Sequence, residues 1–181
     1  MTLKAALMDA AAVGRALKRI SFEIIEKNRG TADLCIVGIR RRGACIAREL
    51  QKNINAIEGS DVPVGELDIT FYRDDLTYKL TDPTLNKTDI PFDITDKTVI
   101  LADDVVFTGR TVRAAIDAIF SLGRPKAIRF AVLIDRGHRE LPIKPDYVGK
   151  NVPTSLSEIV KVTFPEYDGC ETSVLLYSKD G

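Results

Sequence analysis

The chain is most easily read from what it lacks. It has one histidine, three cysteines and no tryptophan in 181 residues, and its 26 basic residues balance 26 acidic ones. Cys35, Cys45 and Cys170 are widely spaced, odd in number and in no metal-ligand pattern. A zinc centre or a disulfide framework is therefore not expected, and the cysteine usage suits a reducing cytoplasm. The zero net charge gives no global attraction to nucleic acid, so any RNA contact would have to come from a local basic face. No apolar run approaches the roughly 20 residues that span a bilayer, and the N-terminus has no long apolar core. Gly-x-x-x-x-Gly-Lys-[Ser/Thr] and Gly-x-Gly-x-x-Gly are both absent, which removes the Walker loop and the dinucleotide fingerprint. His138 has no serine or cysteine arrangement around it in the sequence, so a hydrolase triad is rejected as well. What remains is a soluble, cytoplasmic α/β chain, expected to form one domain over residues 1–181.

Alternating elements are legible along it. Asp9 to Asn28 reads as a helix with Val13, Leu17, Ile20 and Ile24 on one stripe, stopped at Gly30. Leu34–Ile39 is a buried-type strand, followed by a helix from Gly43 to about Ile57 and a strand from Val64 to Tyr72. The polar stretch from Arg73 to about Asp96 has the length of a functional lid loop. Val99–Ala102 and Ile128–Ile134 are further strands, and short strand-like pieces lie near Val160–Phe164 and Ser173–Tyr177. The alternation predicts a mostly parallel, doubly wound sheet.

The most informative run is Thr98 to Val112. Val99, Ile100, Leu101 and Ala102 form an apolar strand, and Asp103 and Asp104 stand at its carboxyl end, where open α/β sheets place ligands. Val105, Val106, Phe107, Thr108, Gly109, Arg110 and Thr111 then lead into an amphipathic helix carrying Val112, Ala115, Ile116 and Ile119. A helix N-terminus beside a glycine is a phosphate seat. Carboxylates just before it suit a ligand with sugar hydroxyls and a phosphate, such as a ribose 5-phosphate. An acidic pair holding magnesium in a receiver domain shares part of this pattern, but there the pair sits on the first strand. A structural strand–turn–helix shares part of it too.

Gly38 to Gly43 encloses Arg40, Arg41 and Arg42, and arginine forks suit a polyphosphate, although a solvated turn has the same composition. Together the two loops suggest phosphoribosyl diphosphate (PRPP). Tyr72, Arg73, Asp74 and Asp75 enter the long loop, where a lid would exclude water from the reacting sugar. An ordinary charged loop reads alike. Arg136 follows a strand end and would contact a base or nucleotide.

Val99 to Thr111 resembles the signature of type I phosphoribosyltransferases. Val37-Gly-Ile-x-x-Arg-Gly43, Asp68 to Leu76, Asp135-Arg-Gly-His-Arg-Glu-Leu-Pro-Ile143 and Val148 to Ser155 extend the likeness over nearly the whole chain. Together they resemble the bifunctional regulators of pyrimidine operons that are also uracil phosphoribosyltransferases. The resemblance implies the type I phosphoribosyltransferase fold, a central mostly parallel sheet flanked by helices with a small hood. It implies conversion of uracil and PRPP to UMP and diphosphate, with Mg2+ carried on PRPP. It also implies attenuation of transcription through leader mRNA, sensed by UMP or UTP; a salvage enzyme without RNA binding is the alternative. By resemblance Asp103 and Asp104 hold the ribose hydroxyls, Val106–Thr111 the 5-phosphate, Arg41 and Arg42 the diphosphate, and Arg73 belongs to the lid. Arg136 and the backbone near Val160 face the nucleotide. Arg41 stands where the family usually has threonine, and Leu156 replaces a frequent basic residue. Lys18 and Phe22 stand where the family often has threonine and histidine.

Arg15, Lys18, Arg19, Phe22 and Arg29 fall away from the apolar stripe of the first helix, and Lys144 and Lys150 add positive charge later. That face suits RNA phosphates and base stacking, and equally a solvated surface with Phe22 at a subunit interface. Lys18, Phe22, Lys144 and Lys150 are the expected RNA contacts, on a surface shared within a homodimer or larger homo-oligomer.

Overall fold

A computed structural model describes residues 1–72 and 88–179 of the chain. In chain order the elements are β1 (Thr2–Met8), α1 (Ala10–Asn28), β2 (Leu34–Ile39), α2 (Arg42–Glu58), β3 (Val64–Leu67), β4 (Thr98–Val106), α3 (Arg110–Leu122), β5 (Ala127–Asp135), β6 (Tyr147–Asn151), β7 (Glu158–Thr163), α4 (Pro165–Asp168) and β8 (Ser173–Ser178). A five-stranded sheet has the order β3-β2-β4-β5-β6, and every pairing in it is parallel. Three antiparallel strands, β1-β8-β7, form a second, smaller sheet.

The buried central strands explain the sheet. Leu34–Ile39 is buried at all six positions, and Val99–Ala102 is buried throughout, as parallel strands covered on both faces must be. Ile36, Ile100, Ala102 and Leu133 point into a core closed by α1, α2 and the hydrophobic side of the small sheet. Cys35, Val37, Val99 and Leu101 point into a second core closed by Val112, Ala115 and Ile119 of α3. The α1 stripe lies in the first core. Asp9 caps this helix by accepting the Ala12 N–H at 2.7 Å, and Arg29, with left-handed φ of 55°, ends it.

Four segments differ from the sequence expectation. The strand expected over Val64–Tyr72 stops at Leu67, because the Asp68 carboxylate accepts both the backbone N–H and the hydroxyl of Thr70 and turns the chain into a 3-10 turn, Thr70–Tyr72. Thr2–Met8, given no element from the sequence, pairs with β8 at the far end of the chain, and Tyr147–Asn151 is a further unexpected strand, at the edge of the parallel sheet. The described end of the long polar stretch, residues 88–96, is tied into the fold. Asp89 bridges Glu66 of β3, the Thr88 hydroxyl accepts the Asp68 N–H, and Ile94 is buried. The lid expectation at Arg73 lies outside the described residues.

Candidate active site

The strand order creates the site. β2 leads by way of α2 to β3 on one side, while β4 lies on its other side, so the direction in which strands are added switches between the parallel β2 and β4. Ligands of open α/β sheets bind at such a switch point, beyond the strand C-termini. β2 and β4 stop pairing at Gly38 opposite Ala102, whereas β4 continues beside β5 to Val106 opposite Asp135. Asp103 and Asp104 therefore sit on a supported strand with one side released.

The arginine loop is pressed against this pair. A Cβ on Gly43 would lie 2.5 Å from the Ala102 carbonyl oxygen and 3.2 Å from the Asp103 Cα; one on Gly38 would lie 2.5 Å from the Ala44 Cα. Only glycine permits that approach. Around the pair lie three adjoining clefts. The first, about 580 Å³, is lined by Arg40, Arg41, Arg42, Asp103, Asp104 and Thr111 among others. The second, about 360 Å³, runs from Asp103 along Val105, Val106, Phe107, Thr108, Gly109, Arg110 and Thr111. The third, about 380 Å³, joins Arg42 and Asp104 to Val160, Lys161 and Tyr177 beneath the small sheet.

The carboxylates are anchored through the main chain. Asp103 accepts the Asp104 N–H and Asp104 the Val105 N–H, both at 2.9 Å. Burial dominates at Asp104 and raises its pKa; the Val105 N–H and the nearby Arg42 charge pull against that rise. Arg42 is itself held by Asp168, with Nη2 donating to Oδ1 at 2.6 Å and Nε to Oδ2 at 3.3 Å. Arg40 pairs with Glu66 at 3.1 Å.

The Phe107–Thr111 turn enters α3 through Gly109, whose φ of 94° favours glycine. Arg139 braces it, donating to the Phe107 carbonyl at 2.7 Å and to the Asp135 carboxylate at 2.5 Å, and Arg110 pairs with Glu140 at 2.8 Å. Arg136 stacks its guanidinium 4.1 Å above the Phe107 ring, while His138 meets that ring edge-on. Arg136 is only 7% exposed, lines none of the three clefts, and donates to Thr154 Oγ1 at 3.1 Å and to the Ser155 carbonyl at 3.0 Å. Burial lowers its pKa, opposed by Glu158. The bracing by Arg139, Thr154 and Asp168 had no sequence signal beyond the membership of Arg139 in the Asp135–Ile143 motif and of Thr154 in the Val148–Ser155 motif.

The residues read as RNA contacts are partly assembled. Lys18 and Phe22 are exposed on α1, and Arg19 of the same helix donates to the Val148 and Gly149 carbonyls of β6 at 3.0 and 2.7 Å. Lys150 of β6 donates to the Leu7 carbonyl at 3.2 Å. Lys144 instead follows Ile143, which packs into the α3-side core, across the sheet from α1. Among the described residues no three acidic, histidine or cysteine side chains gather as a metal cage, and no helix is long and apolar enough to cross a membrane.

Residues 5–168 match the phosphoribosyl transferase domain family. The bifunctional protein PyrR of Caldicellulosiruptor saccharolyticus is 62% identical over 162 residues, covering 90% of this chain and 89% of its own. That of Listeria welshimeri is 56% identical over 179 residues, covering 97% and 98%. The chain belongs to the PyrR family of phosphoribosyltransferases. The fold of this PyrR-family chain is shared more widely. The hypoxanthine phosphoribosyltransferase of Trypanosoma cruzi superposes with a TM-score of 0.73 at 16% identity, covering 97% of each chain. A hypoxanthine-guanine phosphoribosyltransferase of Bacillus anthracis gives 0.70 at 20% identity, covering 97% of this chain and 98% of its own.

Proposed function

We propose that this protein transfers the phosphoribosyl group of PRPP to uracil, forming UMP and diphosphate, and that as a cytoplasmic homo-oligomer it binds pyrimidine-operon leader mRNA in response to UMP or UTP. The observation that carries the reading is the placement of two anion-suited loops on either side of one carboxylate pair, with Gly43 packed onto Ala102 and Asp103. That arrangement spans a sugar bearing phosphate at one end and diphosphate at the other.

Asp103 and Asp104 accept the ribose hydroxyls, and their negative charge favours the positive charge that develops at the ribosyl carbon. The backbone N–H groups from Val106, the last residue of β4, through the turn to Thr111 in the first turn of α3 hold the 5-phosphate. Val99–Ala102 and Val105 supply the rigid strand that carries these groups. Arg41 and Arg42 take the diphosphate. The third cleft, at Val160, receives uracil, and Arg136 supports the nucleotide site through Phe107. The donor set fits magnesium as a passenger of PRPP, since aspartate oxygens are hard ligands and no protein cage is required. Carried on PRPP, magnesium would supply charge neutralisation at the diphosphate beside Arg41 and Arg42.

RNA binding is supported by the exposed Lys18 and Phe22 beside Arg19 and β6. The 19-residue α1 is about 29 Å long at 1.5 Å per residue, so a hairpin is held better by faces joined through self-association. A salvage enzyme without RNA binding is the second reading, favoured by the ties of Arg19 and Lys150 to β6 and Leu7 carbonyls and by the exposed Leu156.

The test assays radiolabelled uracil and hypoxanthine with PRPP, alongside a leader-RNA gel shift with and without UMP. Conversion of uracil alone, abolished when Asp103 and Asp104 are both changed to Asn, and a UMP-dependent shift are expected. Retained turnover in the double variant rejects the site; no UMP-dependent shift leaves the salvage enzyme.

A further inference from the structure

The segment after the small sheet's β7 meets the arginine loop at a part-buried ion pair. Arg42 opens α2, its backbone fixed because the next residue, Gly43, is packed on Ala102 and Asp103. Its guanidinium is fixed by a residue 126 positions away: Nε and Nη2 form a fork with the Asp168 carboxylate. Asp168 ends the short α4 turn after β7, is 10% exposed in its side chain, and also accepts the Phe164 N–H at 2.9 Å. The Arg42 hydrogen bond holds this carboxylate below its ordinary pKa.

We propose that Asp168 is a positioning residue: it orients Arg42 toward the site of the substrate diphosphate. The inference rests on the phosphoribosyltransferase reading above. Asp168 takes one edge of the guanidinium, and among the described residues Nη1, on the other edge, has no partner. Arg42 lines both the 580 Å³ and the 380 Å³ clefts, and its charge acts on Asp104. A free arginine must lose side-chain freedom when an anion arrives, whereas one already forked to a carboxylate meets it in place. The alternative relation is rivalry, with Asp168 competing with diphosphate for the same guanidinium. It predicts the opposite sign.

The perturbation is Asp168→Asn, which removes the charge but retains an oxygen for the Phe164 N–H. The α4 turn stays docked on α2 in this variant, because Glu166 separately accepts from Arg48 Nη2 at 2.5 Å. The readouts are steady-state kinetics with uracil and PRPP, calorimetric binding of magnesium diphosphate, and Tm. Loss of one charge-assisted fork is expected to raise KM for PRPP and weaken diphosphate binding by about tenfold each, with KM for uracil changed less than about twofold. Asp168→Glu should restore part of both. Unchanged diphosphate affinity, or tighter binding, overturns the assignment. Equal losses for both substrates with a large fall in Tm reduce Asp168 to a structural role, which overturns it too. Should the wild type fail to convert uracil, the functional reading falls, while the diphosphate titration still decides the role of Asp168.

Discussion

A single methyl group placed at Gly43 tests the geometry on which the site depends. The nearest atoms to that methyl are backbone: the Ala102 carbonyl oxygen at 2.5 Å and the Asp103 Cα at 3.2 Å. Comfortable carbon contacts lie at about 3.5 Å or more, so the Ala102 oxygen is about 1 Å too close. β4 cannot yield, since Ala102 is paired with Gly38 on one side and Ala131 on the other. The start of α2 must lift instead, taking Arg41 and Arg42 with it. Overpacking of this kind costs about 1–3 kcal/mol, while alanine recovers up to about 1 kcal/mol over glycine in a helix. The net loss for Gly43→Ala is about 1–2 kcal/mol, or a Tm lower by about 2–8 °C for a chain of this size. Displacement by about 1 Å between the arginine loop and the carboxylate pair costs kcat/KM for PRPP about a hundredfold.

Gly14→Ala is the matching control. Gly14 lies in α1, and its Cβ would meet nothing within 4 Å. The same chemical change there should stabilise by about 0.5–1 kcal/mol and leave kinetics alone. Scanning calorimetry and PRPP-dependent kinetics on both variants decide the matter. A Gly43→Ala protein with wild-type Tm and wild-type kcat/KM would refute the close-packing argument.

Asp104→Asn tests the part-buried carboxylate. The ordinary aspartate value is 3.8 and burial raises it in the folded protein, so ionised Asp104 destabilises the fold at pH values above that window. The variant should therefore melt higher than wild type at neutral pH, with the difference vanishing as pH falls toward 3.8, while turnover is lost; a lower Tm at neutral pH would contradict the sign. Arg136→Lys removes the fork to Thr154 and Ser155 and the stack on Phe107, and should destabilise by about 3 kcal/mol with KM for PRPP raised more than KM for uracil. Urea unfolding and the two KM values check it, and a selective rise in KM for uracil would place Arg136 against the base instead.

The parts of the fold visible in the sequence are those whose environment is uniform. Leu34–Ile39 and Val99–Ala102 are covered on both faces, and a strand so placed has to be apolar at every position. The α1 stripe at Val13, Leu17, Ile20 and Ile24 follows equally from one buried face. Thr2–Met8 carries no such mark: most of it is exposed, and its partner β8 is the last strand of the chain. Pairing at that distance is decided by tertiary structure rather than local composition. The end of β3 turned on one side chain, since Asp68 offered the backbone a hydrogen bond that competed with the strand.

A similar division runs through the site. A helix N-terminus presents unpaired N–H groups whatever surrounds it, so the Phe107–Thr111 turn could be read as an anion seat from spacing alone. The adjacent Asp103 and Asp104 share that local logic, being two successive residues of one strand. An arginine is different. Its long side chain reaches many positions, and what it does depends on which partner fixes it. Arg42 is fixed by Asp168, Arg136 by Thr154 and Ser155, and Arg139 by Asp135 and the Phe107 carbonyl. For Arg42 and Arg136 the partners lie on chain segments that the sheet topology brings together, which no motif around the arginine encodes. The sequence can therefore propose anion-suited groups, while the three-dimensional structure distinguishes arginines with a free edge in a cleft from those whose guanidinium is tied to neighbouring loops. By that criterion Arg42, with one guanidinium edge turned away from Asp168, is the arginine proposed for an anion, whereas Arg136, buried away from the clefts, packs on Phe107 of the turn before α3.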